Sequence, residues 1–129
     1  MNNNCLQLPQ DMTALDHEQI EVLSSMNDDG DDSILTELVT LFVKENEPRF
    51  KDIEQCCQKK DAAELRKHVH FIAGSTANIG LQRVSTLCRQ VERAILDQSF
   101  EAFSDLPSAL NKEYQDALSA VKKEAKMAN

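Results

Sequence analysis

Residues 68–80 read HVHFIAGSTANIG, and how this stretch is folded decides the rest. At about 100° per residue, Leu65, Val69, Ile72, Thr76 and Ile79 fall within one arc of a helix roughly 80° wide. That arc predicts a core stripe. His68 lies at its edge, about 60° from the centre, and reads as a flanking structural histidine. His70 points about 140° away, toward solvent. The two histidines therefore do different jobs, and i, i+2 spacing does not suit a shared metal. Gly74 follows His70 by one turn on the same face, with Ala73 and Ala77 beside it. A glycine inside a helix costs about 1 kcal/mol relative to alanine. Solvent does not require that sacrifice; something approaching the backbone closely beside His70 would explain it. The face His70, Ala73, Gly74, Ala77 is expected to be a landing surface with an uncrowded imidazole.

Working outward, Asp61 with Glu64 predicts the N-terminus of this helix. Gly80 fits the residue just past its end. Asp16 caps a short first helix over 17–26. A long second helix is capped by Ser33 or Asp32, with Ile34, Leu35, Leu38, Leu41, Phe42, Glu45, Ile53 and Cys56/Cys57 as its stripe and a kink or break near 46–48 at Pro48. A fourth covers about 81–96. The last carries Leu106, Leu110, Tyr114, Leu118 and Val121; it starts either near Ser99, bending at Pro107, or near 104–105 with Pro107 in its first turn. The chain is thus expected to be all-α, an antiparallel four-helix bundle with a short extra N-terminal helix. Residues 1–15 form a polar arm, 16–125 the bundle and 126–129 a charged tail.

Composition agrees. The 129 residues suit one domain. Only three glycines and three prolines argue for long helices rather than a turn-rich sheet protein. A net charge of −8 disfavours nucleic-acid binding, which needs a basic face. No apolar run reaches the roughly 18 residues of a membrane span. The N-terminus lacks the charge and apolar pattern of a signal peptide, so the expected location is cytoplasmic. Cys5, Cys56, Cys57 and Cys88 have no C-x-x-C spacing and read as free thiols, and no metal site is expected. Within the acidic chain, Lys59, Lys60, Arg66, Lys67, Arg83, Arg89 and Arg93 collect on the third and fourth helices. They would attract phosphate or an acidic active site.

The run from His70 to Gly80 resembles the signature of histidine-containing phosphotransfer (HPt) domains, typically His-x-Leu-Lys-Gly-Ser-Ser-x-x-x-Gly. His70 matches the phosphorylated histidine, Ile72 the apolar position, Gly74 the glycine, Ser75 and Thr76 the hydroxyl pair, and Gly80 the final glycine. The following LQRVSTLCRQVE resembles the family's fourth helix, with Gln82 matching a polar residue near the active histidine. The resemblance implies a phosphorelay intermediate, with His70 accepting and donating a phosphoryl group between receiver-domain aspartates. Arg66, Lys67, Gly74, Ala77 and Gln82 would support that site or the docking around it. The family's usual lysine is replaced by Ala73, which implies a weaker hold on the phosphoryl oxygens, with Lys67 as substitute cation. No cofactor is implied for this chain; Mg²⁺ would belong to the partner receiver. There is no nucleotide-binding glycine loop, so no ATP-dependent kinase activity is expected. Partners would be receiver domains and a hybrid sensor kinase, with the protein itself monomeric, free-standing and away from nucleic acid and membrane. The alternative is a module that docks receivers without carrying phosphate.

Overall fold

The computed structural model describes residues 8–25, 33–96, 100–103 and 105–125. They form α1 (His17–Ser25), α2 (Ser33–Lys59), α3 (Ala62–Asn78), α4 (Gln82–Ala94) and α5 (Leu106–Glu124). A 3-10 turn over Phe100–Phe103 precedes α5. No strand occurs among the described residues, and the fold is all-α. Helix α3 packs between α2 and α4, and α5 closes the ring against both; α1 rests on α2. Short connections after α2 and after α3 make each pair an antiparallel hairpin. Residues 126–129, the expected tail, lie outside the described residues.

The α3 stripe is buried as its periodicity predicts. Leu65, Val69, Ile72 and Thr76 have no exposed surface, and Ile79 has 3%. Thr76 is tolerated there because its hydroxyl donates to the carbonyl of Ile72 at 2.6 Å. At the helix start, the Asp61 carboxylate accepts from the Glu64 amide at 3.2 Å. At its end, Leu81 N–H donates to Thr76 and Gly80 N–H to Ala77, the paired bonds of a Schellman turn. Gly80 takes φ +79°, as that turn requires.

Two expectations change. The kink or break expected near 46–48 is absent as a break: α2 runs unbroken through Pro48, which is exposed. The ring removes one backbone hydrogen bond, to the Lys44 carbonyl, and packing on both sides carries the helix through. The buried stripe of α2 runs through Leu35, Val39, Phe42, Asn46 and Ile53, while Leu41 is 51% exposed and Glu45, expected in the stripe, is exposed too. Asn46 sits in that stripe fully buried, its amide donating to the Phe42 carbonyl and to Ser75 Oγ, both at 2.9 Å. It thereby ties α2 to α3. Helix α5 begins at Leu106 with Pro107 in its first turn, the second of the two starts considered. The Tyr114 ring lies 4.5 Å from that of Phe50 and 5.7 Å from that of Phe42. Its buried hydroxyl donates to Glu47 at 2.6 Å.

Part of the expected arm is packed. Leu15 is 4% exposed, and Asp16 N–H donates to the Gly80 carbonyl at 2.7 Å. Arg83 on α4 holds this segment: Nη1 donates to the carbonyls of Pro9 at 2.7 Å and Met12 at 2.9 Å. The same guanidinium grips Glu113 of α5 through Nε at 2.9 Å and Nη2 at 3.0 Å.

A Cβ at position 80 would meet the Asp16 carbonyl oxygen at 3.2 Å and would strain the positive φ. Gly80→Ala should therefore lower the unfolding free energy by about 1–3 kcal/mol, read as a lower urea midpoint with unchanged slope. The Arg83 hydrogen bond holds the Glu113 carboxyl below its ordinary value of 4.5. An unfolded chain takes up that proton first. The pair's stabilisation is thus complete above about pH 4.5 and is lost as pH falls through the lower folded value. Glu113→Gln should be less stable at neutral pH and should flatten the acid side of the stability profile, as urea titrations across that range will show.

Candidate functional site

His70 stands in the middle of α3 with 67% of its side chain exposed. Its Nδ1 contacts Glu92 Oε2 of α4 in a short hydrogen bond. A carboxylate can only accept, so Nδ1 is the donor, and the neutral ring keeps its lone pair on Nε2. Glu92 is itself held: Arg89 Nη1 donates to Oε1 at 3.4 Å. Partial burial pushes the Glu92 carboxyl up. The His70 hydrogen bond and the charges of His70, Arg89 and Arg66 outweigh it and keep the carboxyl below its usual range. The arrangement fixes one tautomer and leaves the Nε2 lone pair of a largely exposed ring free of that contact.

Around the imidazole the surface is small on one side and grooved on the other. A Cβ built at Gly74 meets nothing within 4 Å, so no contact inside this chain requires glycine there. Ala77, one turn further, is exposed. On the N-terminal side, His70 and Glu92 border a groove floored by Ala62, Ala63, Phe71 and Leu96. Phe71 and Leu96 are 36% and 73% exposed, unusual for large apolar side chains. Arg49, Arg66 and Lys67 line the same groove with positive charge.

The sequence-derived site residues separate under this geometry. His70, Arg66, Lys67, Gly74 and Ala77 share one face. Lys67 Nζ pairs with Glu64 Oε1 at 3.2 Å, but both are well exposed, so that pair holds the lysine weakly. Ala73 does not belong to the open face. It is fully buried, and its carbonyl accepts from Ser85 Oγ of α4 at 3.0 Å. It lies about 60° around the helix from His70, toward α4, which covers it. A lysine there would have to thread its stem between α3 and α4. Gln82 is not beside His70 either. Its amide donates to the Thr13 carbonyl at 2.9 Å, Thr13 Oγ1 at 2.8 Å and the Leu15 carbonyl at 3.2 Å. Glu92 is opposite His70, and Gln82 precedes it by ten residues, about 15 Å along α4. His68 faces α2, 15% exposed, with Nδ1 accepting from Arg49 Nη1 at 3.1 Å.

The basic residues do not form one patch: Arg83 is engaged with α5 and residues 9–12, Arg89 with Glu92. Glu92, the residue that orients His70, was missed from sequence. Its signal is faint, a lone acid between Arg89 and Arg93 on a helix whose pairing register is not written in its own residues. Among the described residues no group of three or more His, Cys, Asp or Glu is placed to hold a metal ion. No helix among them is long and apolar enough to cross a membrane.

An all-α bundle with an exposed, carboxylate-oriented histidine on its third helix narrows the class. The sequence profile of the Hpt domain matches residues 37–124, and the chain belongs to that family. Multistep phosphorelay regulator 1 of Schizosaccharomyces pombe is 26% identical over 102 residues, 79% of this chain and 35% of that protein. Phosphorelay intermediate protein YPD1 of Candida albicans is 28% identical over 92 residues, 71% of this chain and 50% of that protein. Histidine-containing phosphotransfer protein 1 of Arabidopsis thaliana is 26% identical over 94 residues, covering 71% and 61%. The chain thus spans from about a third to three-fifths of the length of these relatives.

Because position 74 is empty of contacts, Gly74→Ala should raise helix stability by about 0.5–1 kcal/mol, with a melting temperature a few degrees higher. The added methyl should at the same time weaken association of any partner that closes on His70. Calorimetry and a binding titration on the same sample test both halves.

Proposed function

We propose that this protein is a phosphorelay intermediate that carries a phosphoryl group on His70 Nε2 between receiver-domain aspartates. The observation that carries this reading is the Nδ1–Glu92 hydrogen bond, which leaves Nε2 unprotonated and exposed. Nε2 attacks the phosphorus of a receiver's aspartyl phosphate in line; the bond to the aspartyl oxygen breaks and the carboxylate departs. The proton stays on Nδ1. As the ring gains positive charge, Glu92 opposes it through a charge-assisted hydrogen bond. The reverse sequence passes the group to a second receiver. Arg66 and Lys67 would meet the phosphoryl oxygens or the acidic rim of the receiver pocket. Mg²⁺ would sit in that pocket, on the partner. The apolar groove with its cationic border suits docking of such a domain, and receivers together with the kinase that loads them are the proposed partners. The relatives' names, phosphorelay regulator and intermediate, support the same reading.

Label a receiver domain on its aspartate and mix it with wild type and variants. His70→Gln should accept no acid-labile phosphate, while His68→Gln should accept it. Glu92→Gln keeps an acceptor for Nδ1–H but loses the charge. Its transfer rate should fall about fivefold, the equivalent of about 1 kcal/mol for a partly exposed charged contact. Label persisting in His70→Gln would overturn the assignment.

A further inference from the structure

Arg49 and His68 take no part in the phosphoryl step, yet both bear on the groove beside His70. The guanidinium carbon of Arg49 lies 3.7 Å above the centre of the Phe71 ring, an exposed wall of that groove. Its Nη1 is 3.1 Å from His68 Nδ1. Its Nε is buried without a hydrogen-bond partner among the described residues. The guanidinium is therefore held by His68 on one side and the ring on the other.

A guanidinium only donates, so His68 Nδ1 must be the acceptor and its Nε2 carries the hydrogen. That Nε2 lies 4.0 Å from Asp52 Oδ2. Other titratable or charged groups face His68 as well: Cys56 and Lys59 from α2, and Asp61 and Glu64 at the start of α3. The Cys56 thiol is pushed up by burial and stays neutral. Asp52 can partner the imidazole in either charge state; Arg49 cannot. A proton on Nδ1 sets two donors and two positive charges against each other across 3.1 Å.

We propose that His68 is a positioning residue whose unprotonated Nδ1 holds Arg49 across Phe71, so that its protonation frees Arg49 and weakens docking in the groove beside His70. This rests on the reading of that groove as the receiver-docking surface. Phe71 held under a guanidinium keeps one orientation; released, it must be re-ordered each time a partner binds. His68 thereby links docking to acidity separately from His70, whose own protonation blocks the nucleophile.

The test uses the full chain in a His70→Gln background, which removes titration at position 70. The side-chain N–H signals of Arg49 are followed by NMR in the free protein from about pH 8 to about pH 5.5, across the histidine range. They should be sharp at the upper end and exchange-broadened at the lower. In His68→Gln, which keeps an acceptor and cannot be protonated, they should stay sharp throughout. In His68→Leu they should be broad at every pH. The affinity of an isolated receiver domain that transfers to the wild type should follow the same pattern, weakening about threefold to tenfold on acidification and on His68→Leu. If His68→Leu does not fold, Arg49→Met serves instead and should give weakened, pH-independent docking. Arg49 signals indifferent to His68 and to pH overturn the proposal, as does docking that weakens with acid in His68→Gln as in the parent. A receiver that transfers phosphate but binds equally well to all variants overturns only the link from Arg49 to docking. No transfer from any receiver contradicts the functional reading, while the Arg49 signals still decide the positioning role.

Discussion

The three-residue turn between α3 and α4 governs what this bundle can do. Gly80 in a left-handed conformation closes α3, and its carbonyl receives the Asp16 amide, so the same residue ends one helix and starts the docking of α1. The turn reverses the chain tightly and thereby fixes the register of α4 on α3. That register puts Ser85 under the Ala73 carbonyl and Glu92 opposite His70. A different turn length would leave His70 with the same exposure and no carboxylate to choose its tautomer. The chemistry of the site follows from a backbone constraint ten residues away along the chain.

A second consequence is that α3 works with two faces of opposite character. One is a dry stripe that anchors it to α2 and α4. The other carries an imidazole, open space at Gly74 and a groove with apolar floor and cationic border. Rigidity on the buried side, reinforced by Asn46 reaching from α2 to Ser75, makes the exposed side a fixed platform. The role proposed for His70, attack on a phosphorus atom held by another protein, would benefit from that fixity, because orientation is settled before the partners meet.

Much of this was legible in the sequence, where a single helix decides its own faces. The α3 stripe, the Asp61 cap, the Gly80 terminus and the exposure of His70 all follow from periodicity and local chemistry within a few residues. What failed depended on neighbours. Ala73 is small and close to His70 in projection, but α4 covers it. Gln82 was placed near His70 by resemblance, yet register carries it to the amino-terminal segment. Pro48 predicted a kink or break, and α2 runs through it without a break. Glu92 and the Arg49–His68 contact were invisible because each joins two helices, and one strand of sequence does not record which turn of a helix faces which turn of the next.

The central claim is that Glu92 reserves Nδ1 of His70 for a proton and leaves Nε2 for phosphate. Uniform ¹⁵N labelling, phosphorylation by a receiver and measurement of the ¹⁵N–³¹P coupling locate the group directly. The account predicts one phosphohistidine, at position 70, with phosphorus bonded to Nε2 and the proton retained on Nδ1. Phosphorus bonded to Nδ1 of His70, or found on His68 or the exposed His17, would contradict it.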